Sequence, residues 1–213
     1  VGTRDRIIET ARLLFNEEGE GQVTTVDIAN EMGISPGNLY YHFRGKGPII
    51  EALFKTFEEE MSQVLTAPSE GPLEVDDTWV FLYIVFEEIY YVQFLYHNLV
   101  HILEEYPAIA VRFRRIMKTK QATMLTMIEH LRDEDLIDFT DQEGRALAER
   151  MAMQFTWWPA WQKTTDPTVG TRVAIHNGVY SIFSQVAPWL ISGRDEFSDL
   201  LSKFHARMIA KDN

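Results

Sequence analysis

The stretch from Thr24 to Lys46, TTVDIANEMGISPGNLYYHFRGK, restricts the fold of this chain more than any other. It spells two short helices joined by a tight turn. Thr24 or Thr25 can cap the first helix, because a hydroxyl there accepts a free backbone N–H. Ile28, Ala29 and Met32 follow as an apolar stripe at helical spacing. Ala29 is small where the two helices must come close. Gly33 suits the positive φ that ends a helix, and Ile34 plugs the space between the two. Ser35 and Pro36 then restart the chain, one as N-cap and the other at the first helical position. Leu39 and Phe43 continue the buried side of the second helix.

The opposite side of that helix carries Gly37, Asn38, Tyr40, Tyr41 and His42, followed by Arg44 and Lys46. A helix in a DNA major groove needs such a face. Its first residues reach base edges, while Tyr hydroxyls and Lys reach phosphates. No acid occurs between Glu31 and Glu51 to repel the DNA backbone. The alternative is a polar surface helix in an all-helical protein.

The order Thr24-Thr25, Ile28-Ala29, Gly33-Ile34-Ser35, Gly37-Asn38-Leu39-Tyr40-Tyr41-His42-Phe43 and Lys46 closely resembles the helix-turn-helix of the tetracycline-repressor (TetR) family, over roughly residues 3 to 55. The resemblance implies an all-α protein of about nine or ten helices. Residues 1–47 would form a three-helix DNA-binding domain, and residues 48–213 a larger helical domain for effector binding and dimerisation. By resemblance, Thr25, Tyr41 and Lys46 would hold phosphates. Gly37, Asn38, Tyr40 and His42 would lie at or near the groove. Thr24, Ser35 and Pro36, at the two helix starts, complete the expected DNA-binding set. Val26 departs from the pattern, standing where a family member can carry a base-reading Arg. It could touch only a thymine methyl or a sugar edge. The expected partners are operator DNA in double-stranded form, a second copy of the chain and a small-molecule effector. A role as a transcriptional repressor in the cytoplasm follows from the same resemblance.

The whole chain narrows the alternatives. It has 213 residues, 46% hydrophobic, and no cysteine, which excludes disulfides, Cys zinc sites and thiol catalysis. The longest apolar run, Trp79 to Phe86, is too short to span a bilayer. No secretory signal is visible at the start, and no membrane partner is expected. Net charge is −12, which argues against nucleic acid until its distribution is considered. Residues 1–47 carry a net −2 and residues 48–213 a net −10. A head that is not basic implies modest non-specific affinity and steep salt dependence.

Residues 3–18 read as a helix with Ile7, Ile8, Ala11, Leu14 and Phe15 on one face, able to cover the two helices above. Arg4 near its start could touch phosphate. A fourth helix starts at Gly47-Pro48 and runs to about Leu65, with a loop at Pro68–Pro72. Residues 77–103 are rich in aromatics and read as helix, with a break near His97. The helix from Pro107 carries Arg112, Arg114, Arg115, Lys118 and Lys120, which reads as a solvated face or, less simply, as a patch near an anion. Thr140 and Glu143 form a capping box opening a helix to about Trp161. A helix over 169–191 holds Gly178 at a close approach and Pro188 at a kink, and residues 195–210 make the last helix. The helices at about 142–161 and 169–191 are expected to pair across a two-fold axis through Met151, Phe155, Val179, Ile182, Phe183 and Val186.

His97, His101 and Glu105 recur at i, i+4 and i+8, a spacing open to metal, but histidines within helical bodies are more commonly core or pocket groups. No metal or cofactor is expected, and no nucleophile elbow or phosphate loop points to an enzyme. The candidate effector-binding residues are Tyr83, Phe86, Tyr90, Phe94, His97, His101, Phe155 and Trp158, whose aromatic rings could line a cavity with a few polar groups. Most such aromatics are ordinary core. The runner-up function is a helical small-molecule-binding protein whose head makes protein contacts.

Overall fold

A computed structural model describes residues 2–66 and 75–210. The loop expected at Pro68–Pro72 lies outside these residues. Among them are eleven α-helices, one short 3-10 turn and no strand. The helix count exceeds the expected nine or ten because the aromatic segment divides into three. Packing separates two compact units, Val1–Glu60 with Tyr91–Phe113, and Met61–Tyr90 with Arg114–Asn213. This division differs from the expected cut after Gly47.

The first unit opens with α1 (Thr3–Glu18), whose Ile7, Ala11 and Phe15 are buried. These face α2 (Thr25–Glu31) and α3 (Pro36–His42), which bury Ile28, Ala29 and Leu39. The helix α4 begins at Lys46 and runs to Val64, two residues earlier than Pro48 suggested. Its Ile49, Ile50, Leu53, Phe54 and Phe57 are buried. Phe57 meets Tyr96 edge-on at 5.9 Å between ring centres, and Tyr96 meets Phe113 at 5.8 Å.

The segment read as one broken helix is α5 (Val75–Tyr91), α6 (Gln93–His97) and α7 (Leu99–Glu105). The break at Asn98 lies where one was expected. The break at Val92 was not foreseen, and α1 explains how it is tolerated. A break frees backbone groups that must find partners when buried. The Asn16 side chain supplies both kinds. Its Nδ2 donates to the Tyr91 carbonyl at 2.9 Å, and its Oδ1 accepts from the Phe94 N–H at 3.1 Å. Arg12 donates to the same carbonyl at 3.1 Å and lies 4.0 Å over the Tyr91 ring.

The second unit holds most of α8 (Pro107–Asp133), then α9 (Asp141–Thr165), α10 (Thr171–Ser184) and α11 (Arg194–Ala210). The capping box forms as read: the Glu143 N–H donates to Thr140 Oγ1 at 3.3 Å, and Glu143 accepts from the Thr140 N–H at 2.8 Å. Two boundaries differ from the sequence reading. The helix α9 passes through Pro159 to Thr165, and α10 stops at Ser184. Pro188 sits in the 3-10 turn Ala187–Trp189, where its missing N–H costs no helical bond. Gly178 is at a close approach, since a Cβ there would lie 2.6 Å from Phe86 Cζ and 2.9 Å from Trp158 Nε1.

Two further expectations are corrected. Lys120 is fully buried and not part of a solvated cationic face, and burial lowers its pKa to about 7. Arg112 on the same helix is held by Glu58 and lies 5.0 Å over Phe54. The six residues expected at a dimer seam, Met151, Phe155, Val179, Ile182, Phe183 and Val186, are all buried within this chain. Helical periodicity places Met153, Trp157 and Trp161 on the far side of α9. These are the large apolar groups α9 exposes, at 53%, 44% and 60%.

Candidate nucleic-acid interface

Local chemistry fixes the angle between α2 and α3. Thr24 caps α2 with a full capping box: its hydroxyl accepts from the Asp27 N–H at 3.3 Å, and Asp27 Oδ2 accepts from the Thr24 N–H at 2.8 Å and the Thr24 hydroxyl at 2.6 Å. The bonds from the Thr24 hydroxyl and then its backbone N–H hold the Asp27 carboxyl below its usual range. At the other end Gly33 adopts φ 64°, the Ile34 N–H donates to the Ala29 carbonyl and the Gly33 N–H to the Asn30 carbonyl, both at 3.0 Å. This pair of bonds is a Schellman motif and turns the chain sharply. Ser35 then caps α3 by accepting from the Asn38 N–H at 3.1 Å, with Pro36 in the first turn.

The turn presents the expected face. Ser35, Pro36, Gly37 and Asn38 are exposed, and Leu39 and Phe43 are buried beneath them. Tyr40 and Tyr41 are exposed at 61% and 84%. The Tyr41 and His42 rings meet edge-on at 5.3 Å. Thr24 is exposed and Thr25 half-buried at the start of α2. Thr24, Thr25, Ser35, Pro36, Gly37, Asn38, Tyr40, Tyr41 and His42 thus belong to one helix pair.

Lys46 differs from the rest. Its Nζ donates to the Glu20 carbonyl at 2.8 Å and pairs with the Glu20 carboxylate at 2.9 Å. Two of its three N–H bonds are therefore held inside the protein. Glu20 is itself buried, and the Tyr106 hydroxyl approaches it at 3.5 Å. Burial, with the charges of Glu20 and Glu105, pushes the Tyr106 phenol up to about 12. Pairing of Glu20 with Lys46 had no signal in the sequence, because loop and helix meet only in the folded unit. Arg4 lies 4.9 Å over the Phe43 ring, which seats α1 against α3.

The eight effector candidates fall in two groups. Phe94, His97 and His101 belong to the first unit, and Tyr83, Phe86, Tyr90, Phe155 and Trp158 to the second. Phe86 and Phe155 are fully buried with ring centres 4.7 Å apart, and Trp158 donates to the Ala174 carbonyl at 2.8 Å. That cluster is core built onto Gly178. Tyr90 is buried, and among the described residues its hydroxyl has no hydrogen-bond partner. Burial pushes its phenol pKa up. No group of three His, Asp or Glu among the described residues is placed to hold a metal. A cavity of about 270 Å³ does exist in the second unit, and other residues line it: Leu82, Met124, Ile128, Met151, Ile182 and Phe183 among them. Tyr83 lines a separate groove with Trp79 and Arg172.

A capped, glycine-turned helix pair with a polar aromatic outer face defines a helix-turn-helix DNA-binding protein of the transcription-regulator class. Comparison with known proteins agrees. Residues 7–53 match the family described as bacterial regulatory proteins, tetR family, and residues 56–197 match the TetR bacterial transcriptional repressor family. The chain belongs to the TetR family, whose members are regulators and not enzymes. The HTH-type transcriptional regulator TtgR of Pseudomonas putida is 36% identical over 74 residues, 35% of either chain. The chain spans about a third of the length of the first curated relatives it matches. The crystal structure of a TetR-family transcriptional regulator from Marinobacter aquaeolei VT8 is similar over 98% of this chain and 99% of that one, with a TM-score of 0.85 and 27% identity. The ketosteroid transcriptional regulator KstR2 of Mycobacterium tuberculosis shares the fold, with a TM-score of 0.66 and 18% identity over 90% of this chain and 96% of that one.

Proposed function

We propose that this chain is a ligand-responsive repressor that binds a palindromic operator as a dimer. The observation that supports it most is the exposed, acid-free face of α3 on a turn held by two caps and a Schellman motif. In this reading Gly37, Asn38, Tyr40 and His42 enter the major groove. Thr25, Tyr41 and the remaining N–H of Lys46 hold phosphates, and the Glu20 pair keeps that ammonium pointed. Thr24 and Ser35 act through their caps, and Pro36 through the angle at which α3 starts.

The second copy would pair through the α9 face of Met153, Trp157 and Trp161. An isologous pair puts its two recognition helices one helical turn of DNA apart, or a multiple of it. A small apolar or aromatic effector bound in the larger domain would favour a spacing that does not match both grooves. Losing simultaneous engagement weakens binding without breaking a DNA contact. Linkage then requires operator to weaken effector by the same factor.

The experiment is a gel shift with the DNA upstream of the protein's own gene, over a salt series. Tyr41→Phe should weaken all sequences about equally, whereas Asn38→Ala should change the preference between them. Absence of any shift, with the head capturing a protein instead, would favour a protein-contact role.

A further inference from the structure

The 270 Å³ cavity of the second unit has a chemical direction. Its wall is almost wholly apolar, with side chains from α5, α8, α9, α10 and α11. The chain closes one side with a single antiparallel bridge, Ile137 to Leu190, and an Ile191 N–H to Leu136 carbonyl bond of 3.2 Å. That bridge joins the α8–α9 connection to the segment before α11. The polar lining groups are Thr78, His130 and Glu134, and Glu134 is exposed, so it stands at the mouth. Helix α8 ends beside it, with Asp135 at φ 56° and the Leu136 N–H returning to the Leu131 carbonyl at 3.0 Å.

The charge at this mouth is one-sided. Asp133 and Asp135 flank Glu134, and the C-terminal end of α8 adds partial negative charge. The arginines of the two adjoining segments are committed elsewhere. Arg132 pairs with Asp141 at 3.0 Å and covers the Phe139 ring at 4.9 Å, and Arg194 donates to the Pro188 carbonyl at 2.9 Å. The Glu134 carboxylate accepts no hydrogen bond from a described side chain. An apolar chamber with a carboxylate at its entrance is complementary to one kind of molecule.

We infer that this cavity binds an amphipathic cation, with a hydrocarbon or aromatic body inside and a protonated amine at Glu134. The volume is nearly twice the ~150 Å³ that accepts one benzene ring, so the body is about two rings, or a chain of roughly eight carbons. His130, on α8 one turn before Glu134, and Thr78 are the other polar groups of the lining. Methionines 124, 127 and 151 let the wall adapt to straight or planar bodies. This inference rests on the effector reading above and narrows it: the ligand class is cationic, and the cavity lies away from the aromatic cluster of Phe86, Phe155 and Trp158.

The test uses the full chain and three probes of equal length, n-octylamine, 1-octanol and octanoate, by calorimetric titration at pH 7. Octylamine should bind best, octanol at least tenfold more weakly, and octanoate more weakly still. Glu134→Gln, a surface change, should bring octylamine down to the octanol level and leave octanol unmoved. Met127→Trp fills the chamber and should abolish both. Octanoate binding as tightly as octylamine would overturn the inference, as would octylamine binding unchanged in Glu134→Gln. Operator release is measured separately. Octylamine bound as described without loss of operator affinity upholds this site and sinks the induction reading. Release of operator by a neutral compound, with octylamine unbound, sinks this site and leaves induction standing.

Discussion

Charge placed on the exposed face of α9 should dissolve the proposed dimer while leaving the protomer folded. Trp157 and Trp161 are 44% and 60% exposed, one turn apart, with Met153 in line. A Trp side chain carries roughly 200 Å², so about 100 Å² of each ring is open. At about 25 cal/mol/Å² its burial contributes ~2.5 kcal/mol. Two-fold symmetry counts each ring twice, so Trp157→Glu removes about 5 kcal/mol before the cost of seating a carboxylate in the seam. That corresponds to a dimer Kd weaker by on the order of a thousandfold. Sedimentation velocity over a concentration series measures it, with circular dichroism melting as the check on folding. Phe183→Glu is the contrast. Phe183 is buried within the chain and stacks on Trp79 at 6.2 Å, so its replacement should abolish cooperative melting itself. If Trp157→Glu and the unaltered chain share one dimer Kd, the α9 face is not the seam, and the reasoning from exposed aromatic area fails.

Other consequences follow from the same packing. Gly178→Ala forces a methyl to within 2.6 Å of Phe86 Cζ, so overpacking should destabilise the chain by about 1–3 kcal/mol in urea unfolding, with an unchanged m-value. Lys120 has a folded pKa near 7 and an ordinary unfolded one, so between pH 7 and about 10 only the unfolded chain binds its proton. Its contribution to stability therefore rises with pH through that window and is flat below it. Lys120→Met should be the more stable protein at pH 7, by ~1–4 kcal/mol, with the gap to the unaltered chain narrowing as pH approaches 10. Thr24→Ala removes the α2 cap and should cost about 1 kcal/mol of thermal stability, readable as a lower Tm.

How far the sequence carried depends on whether the information was local. Capping chemistry is local, so Thr24, Gly33, Ser35 and Thr140 marked their helix ends, and α1 and the helix-turn-helix fell where periodicity put them. The break at Val92 was hidden, because Asn16, some seventy residues away, supplies the partners that make it tolerable. Lys120 looked like one more cation on a basic stretch, since i, i+4 geometry alone does not say which face a neighbour covers. The residues expected at a dimer seam are core of the chain for a related reason. Val179, Ile182 and Phe183 are apolar because α11 and α5 lie on them, with Phe183 6.0 Å from Phe197. The cavity draws on five helices and a single bridge, so no stretch of sequence announces it. The aromatic candidates Tyr83, Phe86, Tyr90, Phe155 and Trp158 do not line it, and its wall is largely aliphatic.

The most direct test of the account is selection of binding sites from random duplex DNA, followed by titration of the winner at several salt concentrations. The account predicts one inverted repeat, occupied by two protomers, with half-sites a helical turn or a multiple of it apart. It also predicts that Asn38→Ala selects a different half-site while Tyr41→Phe selects the same one more weakly. Enrichment of no common sequence, or of a site without two-fold symmetry bound by one protomer, would contradict it.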